Sequence, residues 1–157
     1  MDKILFAVNE SESSENALRV VHDLLQAYPR AAFIALYVTE MVPDRSGYSP
    51  MLGVEQDNEV LLNIRARLRT VFTPNFMQRI TFAHRQGVIP AKVICQTAID
   101  YDCDLIVVGY RRKGLMRRII STSVTYDVLK HAEIPVLLAQ KNTNVTRRVN
   151  TIVEFRR

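Results

Sequence analysis

The sequence has little glycine and no long hydrophobic run. Only five of its 157 residues are glycine, so the backbone has few positions where it could wrap closely around a phosphate. No GxxxxGK[ST] motif occurs, which excludes a P-loop. No apolar run approaches the roughly 18 residues that cross a bilayer. The N-terminus lacks the features of a secretory signal, so we expect a first β-strand there and no membrane association.

Motifs for metal-dependent or nucleophilic catalysis are also absent. The histidines His22, His84 and His131 share no metal-ligand spacing, and we expect surface or structural roles for them. No GxSxG elbow surrounds a serine. The alternating aspartates of residues 100–104 are typical of turns. The sequence therefore predicts a non-enzymatic protein with no catalytic residue and no metal site.

Cysteine is scarce and positive charge is unevenly placed. Cys95 and Cys103 have no metal or redox spacing, which favours buried, reduced thiols in a cytoplasmic protein. The net charge is +5, of which the residues after Gln140 carry +4, since five Lys and Arg stand there against one Glu. Residues 1–140 are therefore nearly neutral, and nucleic-acid binding is the least favoured function. Residues 141–157 form a basic C-terminal extension, predicted to be an extra strand or a disordered tail.

Five short apolar segments alternate with stretches of helical period. Residues 4–8, 33–38, 105–108 and 134–139 are nearly continuous apolar runs, as in parallel strands that are covered on both faces. The segment around Ile80 alternates with polar residues, as an edge strand does. The pattern predicts an α/β fold in three layers, an open parallel five-stranded sheet with helices on both faces. Residues 40–57 are predicted to be a long connecting loop.

Three segments carry a resemblance to a known family. ILFAVNESESSENAL, GVIPAKVICQTAIDYDCDLIVVGYRR and STSVTYDVLKHAEIPVLL resemble successive signatures of the universal stress protein family. The resemblance covers about residues 1–140, with the loop after the second strand unaligned. The resemblance implies the strand order 3-2-1-4-5. It also implies a cytoplasmic, non-enzymatic stress-response sensor or adaptor that acts on an unknown protein partner.

The loop after the fourth strand departs from the family's nucleotide-binding motif. Nucleotide-binding members carry Gly-x2-Gly-x9-Gly-Ser/Thr there, and this sequence has Gly109, Arg112, Thr122 and Ser123 at those four positions. Glycine lets backbone N–H groups approach phosphate oxygens. The side chains of Arg112 and Thr122 are therefore expected to hinder such contacts at two positions. We therefore expect a degenerate ATP-binding motif with weak or absent nucleotide binding, and no required cofactor.

The alternative function is a switch that binds ATP, ADP or AMP, and weak ATP hydrolysis is left open. The resemblance implies base contacts from Ala7, Asn9 and Val38, and ribose and phosphate contacts from Gly109, Arg112, Ser123 and Val124. Asn9 stands where such members have aspartate, and the following Glu10 is expected to bring a negative charge near the nucleotide. The cations of residues 111–118 could be solvated, or could contact an anionic ligand or a nucleic acid.

The last predicted strand favours self-association. In the predicted order it lies at a sheet edge, where an exposed apolar strand is usually paired or covered. A homodimer through this strand is also implied by the resemblance, and the expected contact residues are Ile134, Val136, Leu137 and Leu138. In the competing arrangement the C-terminal extension folds back over the strand and the protein is monomeric.

Overall fold

The computed structural model describes residues 1–110 and 124–140, together with the backbone of residues 151–154. These residues form one sheet of seven strands. The strands are β1 Lys3–Ala7, β2 Ala32–Asp44, β3 Gly47–Pro50, β4 Ile80–Gly87, β5 Leu105–Tyr110, β6 Val136–Gln140 and β7 Thr151–Glu154.

Five helices connect the strands within the described residues. They are α1 Glu12–Ala27, α2 Val54–Val71, α3 Pro74–Met77, α4 Pro90–Asp100 and α5 Val124–His131. Ser11 is the N-cap residue of α1, and Pro90 occupies the first turn of α4, where proline's missing N–H costs nothing. None of the helices in the described parts of the chain is long and apolar enough to cross a membrane.

The α/β class with helices on both faces is confirmed. The five parallel strands follow the order β4-β2-β1-β5-β6, which corresponds to the predicted order 3-2-1-4-5. The predicted strand count was too low, because β3 and β7 add two antiparallel strands. β1 pairs with β2 on one side and β5 on the other. The strand order therefore reverses beside β1, where ligands bind in open parallel sheets.

Alternate residues of each strand supply two separate core layers. Phe6 and Phe33 pack in the layer with α1 and α2, whereas Leu5 lies in the layer with α4 and α5, as the two-residue period of a strand requires. Cys95 and Cys103 are buried in the second layer and form no disulfide. Burial raises the pKa of each thiol to about 11, so both thiols are protonated and unreactive at neutral pH.

The predicted loop at residues 40–57 is instead a β-hairpin followed by the start of α2. β2 continues to Asp44 and pairs with β3. The turn is closed by the Asp44 carboxylate, which accepts hydrogen bonds from Ser46 N and Oγ at 2.7 Å, and Gly47 adopts φ +123°. Proline is unfavourable in a central strand, and this hairpin contains Pro43 and Pro50. A two-stranded arm tolerates them because its outer edges need no ladder partner.

The last parallel strand is not at the sheet edge. β7 pairs with β6 in antiparallel register, from Val136 opposite Glu154 to Ala139 opposite Thr151. Two of the four predicted dimer residues, Val136 and Leu137, are buried in the chain's own core, and the other two, Ile134 and Leu138, are half-buried. Their side chains therefore already have partners, and direct pairing of two β6 strands would require β7 to move away.

Candidate functional site

A cavity of about 350 Å³ opens at the carboxyl ends of β1, β2 and β5. Its apolar walls come from the ends of β1 and β5, from the middle of β2 and from the start of α4, where Pro90 and Ile94 contribute. Val8 N donates to Leu36 O at 2.9 Å, which keeps β1 and β2 together up to the cavity. The cavity is large enough for a small organic ligand and lies at the switch point of the sheet.

Five of the seven predicted nucleotide-site residues line this one cavity. They are contributed by β1, β2, β5 and the start of α5, and comprise Ala7, Asn9, Val38, Gly109 and Val124. The other two, Arg112 and Ser123, lie outside the described residues, as do Thr122 and the cations of residues 111–118. The degenerate motif therefore stays a prediction from the sequence.

The end of the cavity beside α1 is lined by short polar side chains. Asn9 Oδ1 accepts hydrogen bonds from Ser11 N at 2.8 Å and from Ser11 Oγ. Asn9 N donates to Ser14 Oγ at 3.2 Å, and Ser11 Oγ lies 2.8 Å from Ser13 Oγ. These bonds fold the β1–α1 turn and occupy the amide oxygen of Asn9. Its Nδ2 donates to no group within residues 1–110 and 124–140, so these donors are available to a ligand.

Gly109 has a packing role as well as a place in the cavity wall. A Cβ at this position would lie 1.9 Å from the backbone oxygen of Ser13, so only glycine lets α1 approach β5 this closely. Thr125 Oγ1 donates to Gly109 O at 2.9 Å, which fixes α5 to the same strand. This glycine is thus required by the fold independently of any phosphate.

The expected negative charge beside the ligand comes from a different residue. Glu10 does not line the cavity, and its Oε1 accepts a hydrogen bond from Asn63 Nδ2 of α2 at 3.1 Å. The carboxylate that does line the cavity belongs to Glu40. The sequence held a signal for it, since Glu40 continues the alternate residues Leu36 and Val38 on one side of β2.

A buried polar network lies on the opposite side of β2, and the sequence reasoning missed it. Asp57 Oδ1 accepts from Tyr37 Oη at 2.8 Å, and Asp57 Oδ2 accepts from Thr39 Oγ1 at 2.7 Å. Thr39 Oγ1 also lies 2.7 Å from His84 Nε2. Burial and the hydrogen bond to Asp57 raise the pKa of Tyr37, and burial lowers the pKa of His84. Sequence spacing gives no sign of this grouping.

Fold and cavity together define a doubly wound α/β protein with a ligand-sized cavity at the switch point of its sheet. A sequence model of the universal stress protein family matches residues 1–140. The chain belongs to the universal stress protein family. A curated relative, universal stress protein Sll1654 of Synechocystis sp., is 29% identical over 135 residues, which cover 86% of this chain and 83% of the relative.

Solved structures of the same family share the fold. A universal stress protein from Burkholderia pseudomallei is 25% identical with a TM-score of 0.57, covering 87% of this chain and 94% of that one. A universal stress protein in complex with cAMP has a TM-score of 0.62 at 18% identity, covering 88% and 96%. The Archaeoglobus fulgidus protein in complex with dAMP has a TM-score of 0.59 at 18% identity, covering 88% and 97%.

Proposed function

We propose that this protein is a cytoplasmic, non-enzymatic stress-response sensor or adaptor that binds an adenine nucleotide weakly in the cavity beside β1. The observation that carries the proposal is the convergence of Ala7, Asn9, Val38, Gly109 and Val124 on one cavity. Two structural neighbours are complexes with cAMP and dAMP, which supports an adenine nucleotide as the ligand class.

Binding is expected to be weak because the phosphate loop has lost glycines. Arg112 and Thr122 stand at two family glycine positions, and each loss removes close backbone contacts to phosphate. A charge-assisted hydrogen bond contributes roughly 1.5–3 kcal/mol, so losing two raises a micromolar dissociation constant to about the millimolar range. Cellular ATP is abundant enough to occupy even such a site in part.

Isothermal titration with ATP, ADP and AMP, with and without Mg²⁺, tests the proposal. We expect dissociation constants between about 10 µM and about 1 mM, with no release of inorganic phosphate. Ala7→Leu should abolish binding, because the larger side chain would occupy the place of the base. Ala27→Leu, at the exposed end of α1, is the matched control and should bind as the wild type does. Dissociation constants below about 10 µM would favour the ATP- or AMP-dependent switch instead. If the wild type bound none of the three nucleotides, the proposal of an adenine nucleotide as ligand would be refuted.

A homodimer formed at the β6–β7 end of the sheet is the second part of the proposal. An edge strand offers unpaired N–H and C=O groups, and two copies can satisfy them around a twofold axis. Because β7 pairs with β6, we propose that the outer edge of β7 makes the contact in the full chain. A chain ending at Lys141 would pair directly through β6. Sedimentation velocity of both chains tests this, and a monomeric full chain would contradict the dimer.

A further inference from the structure

Glu40 is the single charged residue among the described residues that line the cavity. It projects to the same side of β2 as Leu36 and Val38, because alternate residues of a strand share a side. The side chain is half-buried. Across residues 1–110 and 124–140, its carboxylate takes part in no hydrogen bond or ion pair. A partly desolvated carboxylate without a donor is unfavourable, so this position suits a ligand that supplies one.

The described cavity has two chemically different ends. β2 and β5 flank β1 on opposite sides. Since neighbouring strands lie about 5 Å apart, β2 and β5 are about 10 Å apart. Glu40 lies at the β2 end. The other end is formed by Gly109 together with Asn9, Ser11 and Ser13, which offer amide and hydroxyl groups. A ligand with a donor at one end and an anion at the other matches this arrangement.

We propose that Glu40 is a specificity-determining residue, which accepts a hydrogen bond from the exocyclic amino group of the bound base. This inference rests on the proposed nucleotide-binding function and names the feature of the base that is read. An ionised carboxylate can only accept hydrogen bonds. A base with a C–H or an acceptor at that position leaves Glu40 without a partner in a partly dehydrated site, and such a ligand is rejected.

The same residue fixes the orientation of the ligand. A phosphate beside Glu40 would face a like charge at short range in a half-buried site. The base therefore points toward β2 and α4, between the side chains of Val38 and Pro90, which line that wall. The phosphate points toward the opposite end of the cavity, at Gly109 of β5.

A pair of nucleotides that differ only in the amino group tests the assignment. AMP and purine riboside 5′-monophosphate share ribose and phosphate, but the second has hydrogen in place of the 6-amino group. By isothermal titration, wild-type protein should bind AMP about tenfold more tightly than the analogue, as expected for one hydrogen bond to a charged group. Glu40→Ala should weaken AMP to the level of the analogue. Glu40→Gln should keep part of the preference, because its amide oxygen still accepts a hydrogen bond.

Glu55→Ala is the matched control, because Glu55 is an exposed carboxylate at the start of α2 that does not line this cavity. It should leave the tenfold preference intact. Equal binding of AMP and the analogue by the wild type, or an unchanged preference in both Glu40 variants, would overturn the assignment while leaving nucleotide binding in place. If the wild type bound neither nucleotide, the proposed function would fail and the assignment with it. Urea unfolding of each variant identifies a folding defect. If Glu40→Ala does not fold, the preference of Glu40→Gln for AMP over the analogue tests the assignment.

Discussion

The polar side chains on the two sides of strand β2 differ in whether they have hydrogen-bond partners within the described protein. On the side that faces α2, the hydroxyls of Tyr37 and Thr39 both donate to the buried carboxylate of Asp57. On the side that faces the cavity, Val38 is followed by Glu40, whose carboxylate has no partner within the described chain. A polar group whose hydrogen-bonding capacity is used inside the protein stabilises the fold. A polar group beside a cavity that has no hydrogen-bond partner in the protein is available to a ligand.

This contrast separates stability from binding. Asp57 is only 5% exposed, so its hydrogen bonds lie in a medium of low dielectric constant, where breaking them is costly. Glu40 faces the cavity and solvent, so changing it should affect ligand affinity far more than folding. Substitutions on the two sides of β2 should therefore have different readouts, and the following predictions are ordered by the size of their effect on folding.

The largest effect is expected for Asp57→Ala. The substitution leaves the hydroxyls of Tyr37 and Thr39 buried without their acceptor, and it removes the contact that holds the first turns of α2 against the sheet. We expect a loss of about 4 kcal/mol in the free energy of unfolding. Urea unfolding monitored by far-UV circular dichroism measures it.

The control for Asp57 is Glu59→Ala, which removes an exposed carboxylate from the same helix. Its cost should stay within about 0.5 kcal/mol, as for most surface substitutions. If the two variants unfolded at the same urea concentration, the network around Asp57 would not be a main source of stability. The distinction between the two sides of β2 would then be lost.

A smaller loss is expected on the cavity side for Gly109→Ala. The new methyl group would meet the backbone oxygen of Ser13 at 1.9 Å, so the start of α1 has to move away from β5. Overpacking of this kind costs about 2 kcal/mol. Gly87→Ala is the control, because its methyl group meets only side-chain atoms of Val93 and no backbone atom, so no backbone segment has to move. A Gly109 variant as stable as the Gly87 variant in thermal or urea unfolding would contradict the packing role.

The sequence predicts those elements that have a local pattern of apolar residues. The apolar runs locate the parallel strands, and the family resemblance assigns Ala7, Asn9 and Gly109 to one ligand site. Side-chain direction at the ends of elements could not be obtained in this way. Glu10 turns toward Asn63 of the distant helix α2, and no local pattern reveals that contact.

The buried network was missed for a related reason. Asp57 follows Tyr37 by twenty positions, and residues 40–57 are predicted from the sequence to be a long connecting loop. Once that segment is a hairpin, α2 is brought back over β2 and Asp57 reaches the hydroxyls. Long-range pairing of polar groups depends on the folded chain path, and periodicity reports only which side of an element is apolar.

The smallest effect on the free energy of unfolding is expected for His84, whose protonation makes the stability of the Asp57 network depend on pH. Ionised Asp57 can only accept, so Thr39 gives its single hydroxyl proton to Asp57 and must accept from His84 Nε2–H. An added proton would therefore go to Nδ1. Burial lowers the pKa of His84 below its ordinary value of 6.5, the charge of Asp57 offsets this in part, and Arg65 adds to the lowering. The folded state thus binds this proton less readily than the unfolded state does.

The consequence is a loss of stability on acidification. The contribution of neutral His84 is fully present above about pH 6.5 and is lost as the pH falls from there through the lower pKa of the folded state. His84→Gln cannot titrate, yet its amide can still donate to Thr39. Its free energy of unfolding should therefore fall less between pH 7.5 and 5.5 than that of the wild type, by a difference well below the two effects above. Carboxylates such as Asp104, whose pKa is lowered by hydrogen bonds from Asp2 N and Lys3 N, affect both proteins equally. Parallel pH profiles from urea unfolding, or a wild type that gains stability in acid, would show that His84 is not the titrating member of the network.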